Sequence, residues 1–219
     1  MPSPGCNRIL IVDDHPMMRE GLRTLISRER DLFVCGEAET AAQAVDAVAN
    51  LKPDLVLADI TLPGRNGIEL IKDICALKDA ILILVISMHD ESLYAERALR
   101  AGARGYIMKQ ESGPTMMKAI RQVLGGRIYL SDKMSARILE YVAGKRTEAS
   151  PIERLSDREW EVFQLIGQGK STVQIAEELH LSPKTVEAHR ARIKEKLDLR
   201  TMPELISFAS RWVETQDEW

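Results

Sequence analysis

The hydrophobic and polar positions of the chain fall into two regimes. Up to about residue 125, short apolar runs alternate with stretches whose apolar residues recur every three or four positions. Short apolar runs bounded by polar breakers are the pattern of buried strands, and the 3.6-residue recurrence is that of amphipathic helices. Strands are therefore expected at 8–13, 32–35, 53–58, 81–86 and 105–108, and helices at 17–27, 41–51, 68–77, 91–101 and 115–124. Asn66-Gly67 reads as a turn. Strict β/α alternation implies parallel pairing through right-handed crossovers, with helices on both faces. The fold class is an α/β doubly wound five-stranded parallel sheet.

Gly125-Gly126 ends this regime, 131–142 has the pattern of one linker helix, and 144–151 is a polar hinge containing breakers. From 152 onward the pattern is helical only. Ser156 with Glu159 three residues later is a capping box. It opens an apolar stripe of Val162, Leu165 and Ile166 that stops at Gly167 and Gly169. Ser171 caps a second helix, and a turn over 180–183 leads to a third at about 184–197. A fourth, at 202–213, carries Leu205, Phe208, Ala209 and Trp212 on one stripe. The second domain is thus a small all-α four-helix unit. Domains are expected at 1–128 and 151–219, with 129–150 as the linker.

Composition changes this picture little. The 219 residues are 45% hydrophobic and 29% charged with net charge −3, so any basic surface is local. The start lacks the features of a secretory signal, and the apolar run at 81–86 is far shorter than the roughly 20 residues that span a bilayer. Cys6, Cys35 and Cys75 have no C-x-x-C spacing; Cys35 and Cys75 are expected as buried reduced thiols in a cytoplasmic protein with no membrane partner.

Chemistry enters at the strand ends. In parallel sheets polar chemistry gathers beyond the carboxyl ends of the strands, which selects Asp13, Asp14, Asp59, Ser87 and Lys109. Three converging carboxylates repel unless a cation neutralises them. A few carboxylate oxygens suit Mg²⁺, which also accepts phosphate oxygens. Lys109 can pair with a carboxylate or a phosphoryl group, and Ser87 offers a hydroxyl. The set describes phosphoryl transfer onto a carboxylate.

Val12-Asp-Asp-His-Pro16, Asp59-Ile-Thr-Leu-Pro-Gly64 with Asn66-Gly67, Ser87, and Gly102-Ala-Arg-Gly-Tyr-Ile-Met-Lys109 resemble the receiver domain of two-component response regulators. The resemblance implies a flavodoxin-like fold in which Asp59 takes a phosphoryl group from a histidine kinase. It implies Mg²⁺ held by Asp14, Asp59 and the main-chain carbonyl of Thr61, with Asp13 acting through water. Lys109 would contact the phosphoryl group, and Ser87 and Tyr106 would form a switch pair whose ring turns inward. His89, two residues after Ser87, borders this site.

In the third C-terminal helix Val186, Ile193 and Leu197 are spaced to face a core. This turns Lys184, Thr185, Glu187, Ala188, Ala191 and Arg192 outward, with His189 and Arg190 at the margins. A helix, a short turn and a second helix with outward donors and small residues describes a major-groove reader. Residues 151–219 hold ten Lys/Arg against thirteen Asp/Glu, yet 184–196 holds five bases (184, 190, 192, 194 and Lys196) against two acids. Leu155-Ser-Asp-Arg-Glu-Trp-Glu-Val, Ile175-Ala-Glu-Glu-Leu and Leu181-Ser-Pro-Lys-Thr-Val-Glu-Ala-His resemble LuxR-type output domains. Receiver plus LuxR-type output is the architecture of the NarL/FixJ subfamily of transcriptional regulators, which are not enzymes. The resemblance implies promoter DNA as partner, a homodimer seam on the fourth helix, and contact with RNA polymerase. Two other functions compete. One is a Mg²⁺-dependent phosphohydrolase, though Thr61 stands where such enzymes place a second acid. The other is a helical output that binds protein and not DNA.

Overall fold

The structure, a computed structural model, describes residues 6–63, 65–77, 81–142 and 151–217. Gly64 and the expected hinge residues 144–150 lie outside them. The chain divides into two compact units, Met1–Ala143 and Gly144–Trp219.

The first unit runs β1 (Asn7–Val12), α1 (Pro16–Ser27), β2 (Leu32–Ala38), α2 (Ala41–Leu51), β3 (Leu55–Ala58), β4 (Thr61–Leu62), β5 (Arg65–Asn66), α3 (Gly67–Leu77), β6 (Leu82–Ser87), α4 (Glu91–Ala101), β7 (Gly105–Met108), α5 (Gly113–Leu124) and α6 (Asp132–Val142). The main sheet has the order β2-β1-β3-β6-β7, and every pairing in it is parallel. Side chains alternate across a strand. Ile9, Ile11, Leu55, Leu57, Leu84, Ile86 and Ile107 accordingly pack with α1 and α5 in one core. Leu10, Val12, Val56, Ala58, Ile83, Val85 and Tyr106 are buried on the opposite face. Sheets buried on both sides need strands that are apolar throughout, which is why the strands were legible as plain apolar runs.

Three local features depart from expectation. β2 continues to Ala38, because Gly36, Glu37 and Ala38 pair with Leu10, Ile11 and Val12. An edge strand needs main-chain partners, not apolar side chains. The register slips between Ile9 and Leu10, leaving Cys35 as the extra residue of a bulge. Cys6, Cys35 and Cys75 are free but only half-buried, so the expected burial of Cys35 and Cys75 is incomplete. Asn66-Gly67 is not a connecting turn: Arg65–Asn66 pairs antiparallel with Thr61–Leu62, and Gly67 opens α3. Gly67 packs so closely that a Cβ there would lie 2.4 Å from the Asp59 carbonyl oxygen and 2.5 Å from Ile60 Cα.

At the far edge of the sheet, the stretch after α5 returns beside β7. Tyr106 N donates to Tyr129 O at 3.0 Å, and Tyr129 N to Arg104 O at 3.0 Å. α6 then packs on α4, with Ser131 N donating to Glu91 Oε1 at 2.9 Å.

The second unit has a 3-10 turn (Pro151–Arg154) followed by α7 (Asp157–Gly167), α8 (Thr172–Glu178), α9 (Pro183–Lys196) and α10 (Met202–Asp217). Ser156 and Ser171 both head capping boxes. The expected α10 stripe serves the unit's own core. Leu205 and Ala209 are fully buried, Phe208 meets Phe163 at 5.9 Å between ring centres, and Trp212 meets Trp160 at 6.3 Å. Gly167 lets α7 and α10 touch, since a Cβ there would lie 2.6 Å from Ala209 O.

Gly67→Ala is expected to destabilise the first unit by about 1–3 kcal/mol, the cost of overpacking against backbone that cannot yield. The midpoint of urea unfolding followed by the far-ultraviolet circular dichroism of that unit checks it.

Candidate functional site

Four adjacent strands deliver the chemistry of the first unit. Asp13 follows β1, Asp59 follows β3, Ser87 ends β6 and Lys109 follows β7. Because the strands are parallel and ordered β1-β3-β6-β7, these ends lie side by side. Main-chain bonds hold them in register: Asp59 N to Val12 O at 2.8 Å, and Lys109 N to Ser87 O at 2.7 Å. Lys109 Nζ is 2.7 Å from Asp13 Oδ2 and 2.7 Å from Asp59 Oδ2. Asp13, Asp59 and Ser87 are all buried.

Ligand oxygens of Asp13, Asp14 and Asp59 and a nitrogen of His15 lie within 4.8 Å of one another. Three carboxylates with one ammonium carry a net −2, the charge that one divalent cation cancels. Burial raises the Asp59 carboxyl to about 6, against the opposing pull of Lys109. Burial alone would lower the Lys109 ammonium, but Asp59 and Asp13 outweigh it and hold it above its ordinary value. Asp14 Oδ1 is buried and lies 2.7 Å from His15 Nδ1, yet outside the angle of a hydrogen bond. An orphaned carboxylate oxygen among other hard oxygens fits Mg²⁺ well.

Around the acids, His89 N donates to Ser87 Oγ at 3.1 Å, and Tyr106 OH donates to His89 O at 2.8 Å. The Tyr106 ring is fully buried. Thr61 N donates to Asp59 Oδ1 at 3.1 Å, while Thr61 Oγ1 and His89 Nε2 are 3.0 Å apart. His89 therefore touches the site directly, which its spacing from Ser87 signals. His15 was legible only as a neighbour of the acids; that its ring faces them depends on the turn after β1.

In the second unit α9 presents its expected face. Val186 and Ile193 are fully buried and Leu197 is nearly so. Lys184, Glu187, Ala188, Ala191 and Arg192 are exposed, while Thr185, His189, Arg190 and Lys196 are half-buried. Several of the expected polar residues have side-chain partners inside the unit, Thr185 through Ser182 Oγ at 2.7 Å among them. Glu187 Oε1 accepts from Thr172 Oγ1 at 2.7 Å and from Arg190 Nη1 at 2.9 Å. Lys196 Nζ donates to Glu159 Oε2 at 2.6 Å. Glu159 also completes the capping box of α7 through Ser156 N at 2.8 Å, a tie between α7 and α9 that helix patterning cannot reveal.

Residues 9–121 match the family described as response regulator receiver domain, and residues 153–209 match the bacterial regulatory proteins of the luxR family. The chain belongs to the two-component response regulators. It is a phosphorylation-dependent transcription regulator with a receiver and a LuxR-type DNA-binding domain. This response regulator is 34% identical over 208 residues to the oxygen regulatory protein NreC of Staphylococcus haemolyticus (strain JCSC1435), covering 92% of this chain and 96% of that one. A LuxR-family response regulator from Aurantimonas sp. SI85-9A1 is similar at 38% identity and TM-score 0.59, covering 63% of this chain and 99% of that one. RcsB of Salmonella enterica serovar Typhimurium, solved on promoter rprA with phosphomimetic BeF₃⁻, is similar at 26% identity and TM-score 0.62 over 94% of this chain and 98% of that one.

Glu159 of the response regulator titrates below its ordinary range: burial alone would raise it, but Lys196 and Ser156 outweigh burial. Its folded pKa is depressed, so its contribution is present above the ordinary value and is lost as pH falls through the folded one. Glu159→Gln should lower the stability of the second unit at pH 7 by about 1 kcal/mol, and the gap should close below pH 4.5. Tryptophan-monitored urea unfolding at both pH values reads it.

Proposed function

We propose that Asp59 is the phosphoacceptor. A carboxylate oxygen of Asp59 attacks the phosphorus of a phosphohistidine on the kinase, the phosphorus–nitrogen bond breaks, and the histidine leaves. The carrying observation is the shared Lys109 contact, 2.7 Å from Asp13 and Asp59 alike. The buried lysine holds the nucleophile in place and is positioned to follow the transferred group. Asp13, Asp14, Asp59 and the Thr61 carbonyl would hold Mg²⁺, which supplies charge neutralisation for the incoming phosphoryl oxygens. Ser87 offers its hydroxyl to one of those oxygens. Its withdrawal from His89 N would disturb the loop that Tyr106 OH also holds, a local charge event that biases a bistable element.

The receiver then comprises 1–128, the linker 129–150 and the output domain 151–219. In the output domain α9 enters the major groove. Lys184, Thr185, Ala188, His189, Ala191 and Arg192 face DNA, and Glu187, Arg190 and Lys196 brace the helix while sharing their charge with it. A homodimer reads two half-sites about one helical turn apart, as RcsB dimers have been solved on DNA. The protein acts in the cytoplasm, away from the membrane, with RNA polymerase as its further partner and no substrate of its own to turn over. No described helix is long and apolar enough to cross a membrane.

Asp59→Asn should abolish labelling by radioactive acetyl phosphate in the presence of Mg²⁺; retained labelling excludes the assignment. Lys184→Ala and Arg192→Ala should each weaken binding to a mixed-sequence duplex. Each should also reduce the slope of log affinity against log salt by about 0.9 for a lost phosphate contact. Mobility shifts across salt concentrations measure both.

A further inference from the structure

Arg19, in the first turn of α1, is only 8% exposed although no apolar pattern accounts for its burial. Its Nη1 donates to the main-chain carbonyl of Asp13 at 2.7 Å. Its Nε donates to Glu37 Oε2 at 3.3 Å, and its Nη2 reaches Glu39 Oε1. One planar guanidinium thus joins α1, the loop after β1, and the end of β2 with the loop beyond it. A surface ion pair would satisfy the two glutamates from solvent; the bond to a buried carbonyl beside the acidic cluster is a different matter.

The other groups of Asp13 are already fixed. Its N–H donates to Ala38 O at 3.0 Å, its Oδ1 accepts from His15 N at 2.9 Å, and its Oδ2 meets Lys109. The carbonyl is the remaining main-chain group, and it shares a peptide plane with the N–H of Asp14. Whatever holds that carbonyl sets the direction in which the Asp14 side chain leaves the loop. A bare cation behind the acids would repel a metal ion, but Glu37 and Glu39 offset the charge of Arg19 and leave its geometry. A lysine has no fixed fork with which to reach three acceptors in one plane.

We propose that Arg19 is a positioning residue for the cation site: it locks the Asp13–Asp14 peptide plane and so sets the relative placement of the two carboxylates. The inference rests on the reading of Asp13 and Asp14 as Mg²⁺ ligands. Supporting partners of metal ligands typically change affinity by about 10–100-fold. Arg19→Gln should therefore weaken Mg²⁺ binding to the full chain about tenfold, followed by amide chemical shifts in an NMR titration with magnesium chloride. Arg19→Lys should fail to restore it, and Glu37→Gln should weaken binding in the same direction by less. In acetyl phosphate labelling, the Mg²⁺ concentration for half-maximal rate should rise far more than the saturated rate falls. Wild-type affinity in a folded Arg19→Gln or Arg19→Lys chain overturns the proposal, as does an equal loss of affinity and saturated rate. If the Arg19 variants do not fold, unchanged affinity in Glu37→Gln overturns it. Absence of Mg²⁺ binding by the wild-type chain would instead remove the ligand assignment itself.

Discussion

A single ammonium group held between two buried carboxylates organises the receiver. Lys109 reaches Asp13 and Asp59 from the end of β7, so the two ends of the site are joined across the width of three strands. Such a buried cluster is costly unless every charge is matched, and here it is one positive charge against three negative. The shortfall is the physical reason the site invites a dication and a phosphoryl group. Burial, helped a little by the neighbouring Asp13 and opposed by Lys109, lifts the Asp59 carboxyl to about 6. Everything beneath it serves to keep these ends level, including the parallel register of β1, β3, β6 and β7 and the close approach of Gly67 under Asp59.

Much of this was legible in the residues because the strands are uniformly apolar and stop abruptly. Each run ends where a polar residue begins, and a parallel sheet sends all those ends to one side. Asp13, Asp59, Ser87 and Lys109 could therefore be grouped before any coordinates. The helices of the second unit were legible for a related reason, since Ser156, Ser171 and Ser182 each announce a start through a cap. What stayed hidden depends on neighbours far apart in the chain. The bulge at Cys35 arises from pairing with β1, the β4–β5 hairpin from four residues with no apolar pattern, and the buried Arg19 from acceptors on β2. The Lys196–Glu159 bond spans 37 positions. No periodicity within one helix carries that information.

The output domain resolves a conflict between total charge and local charge. It holds more acids than bases, yet several acids are occupied inside the fold: Glu159 by Lys196, Glu161 by Arg158 and Glu178 by Lys170. α9 keeps Lys184 and Arg192 in solvent beside the small Ala188 and Ala191. The turn into α9 is tight enough to force His180 to φ 52°, a left-handed conformation that side chains seldom adopt. Its geometry, and not the bulk composition, gives the domain its character.

The strand-like return at Tyr129 has a further consequence for how copies of the chain meet. A sheet edge with free main-chain groups is an invitation to cross-molecular strand pairing. With Tyr129 bonded to Arg104 O and Tyr106 N, the start of the β7 border is taken up from within. A strand arriving at the start of β7 would find those main-chain groups already occupied by the chain itself.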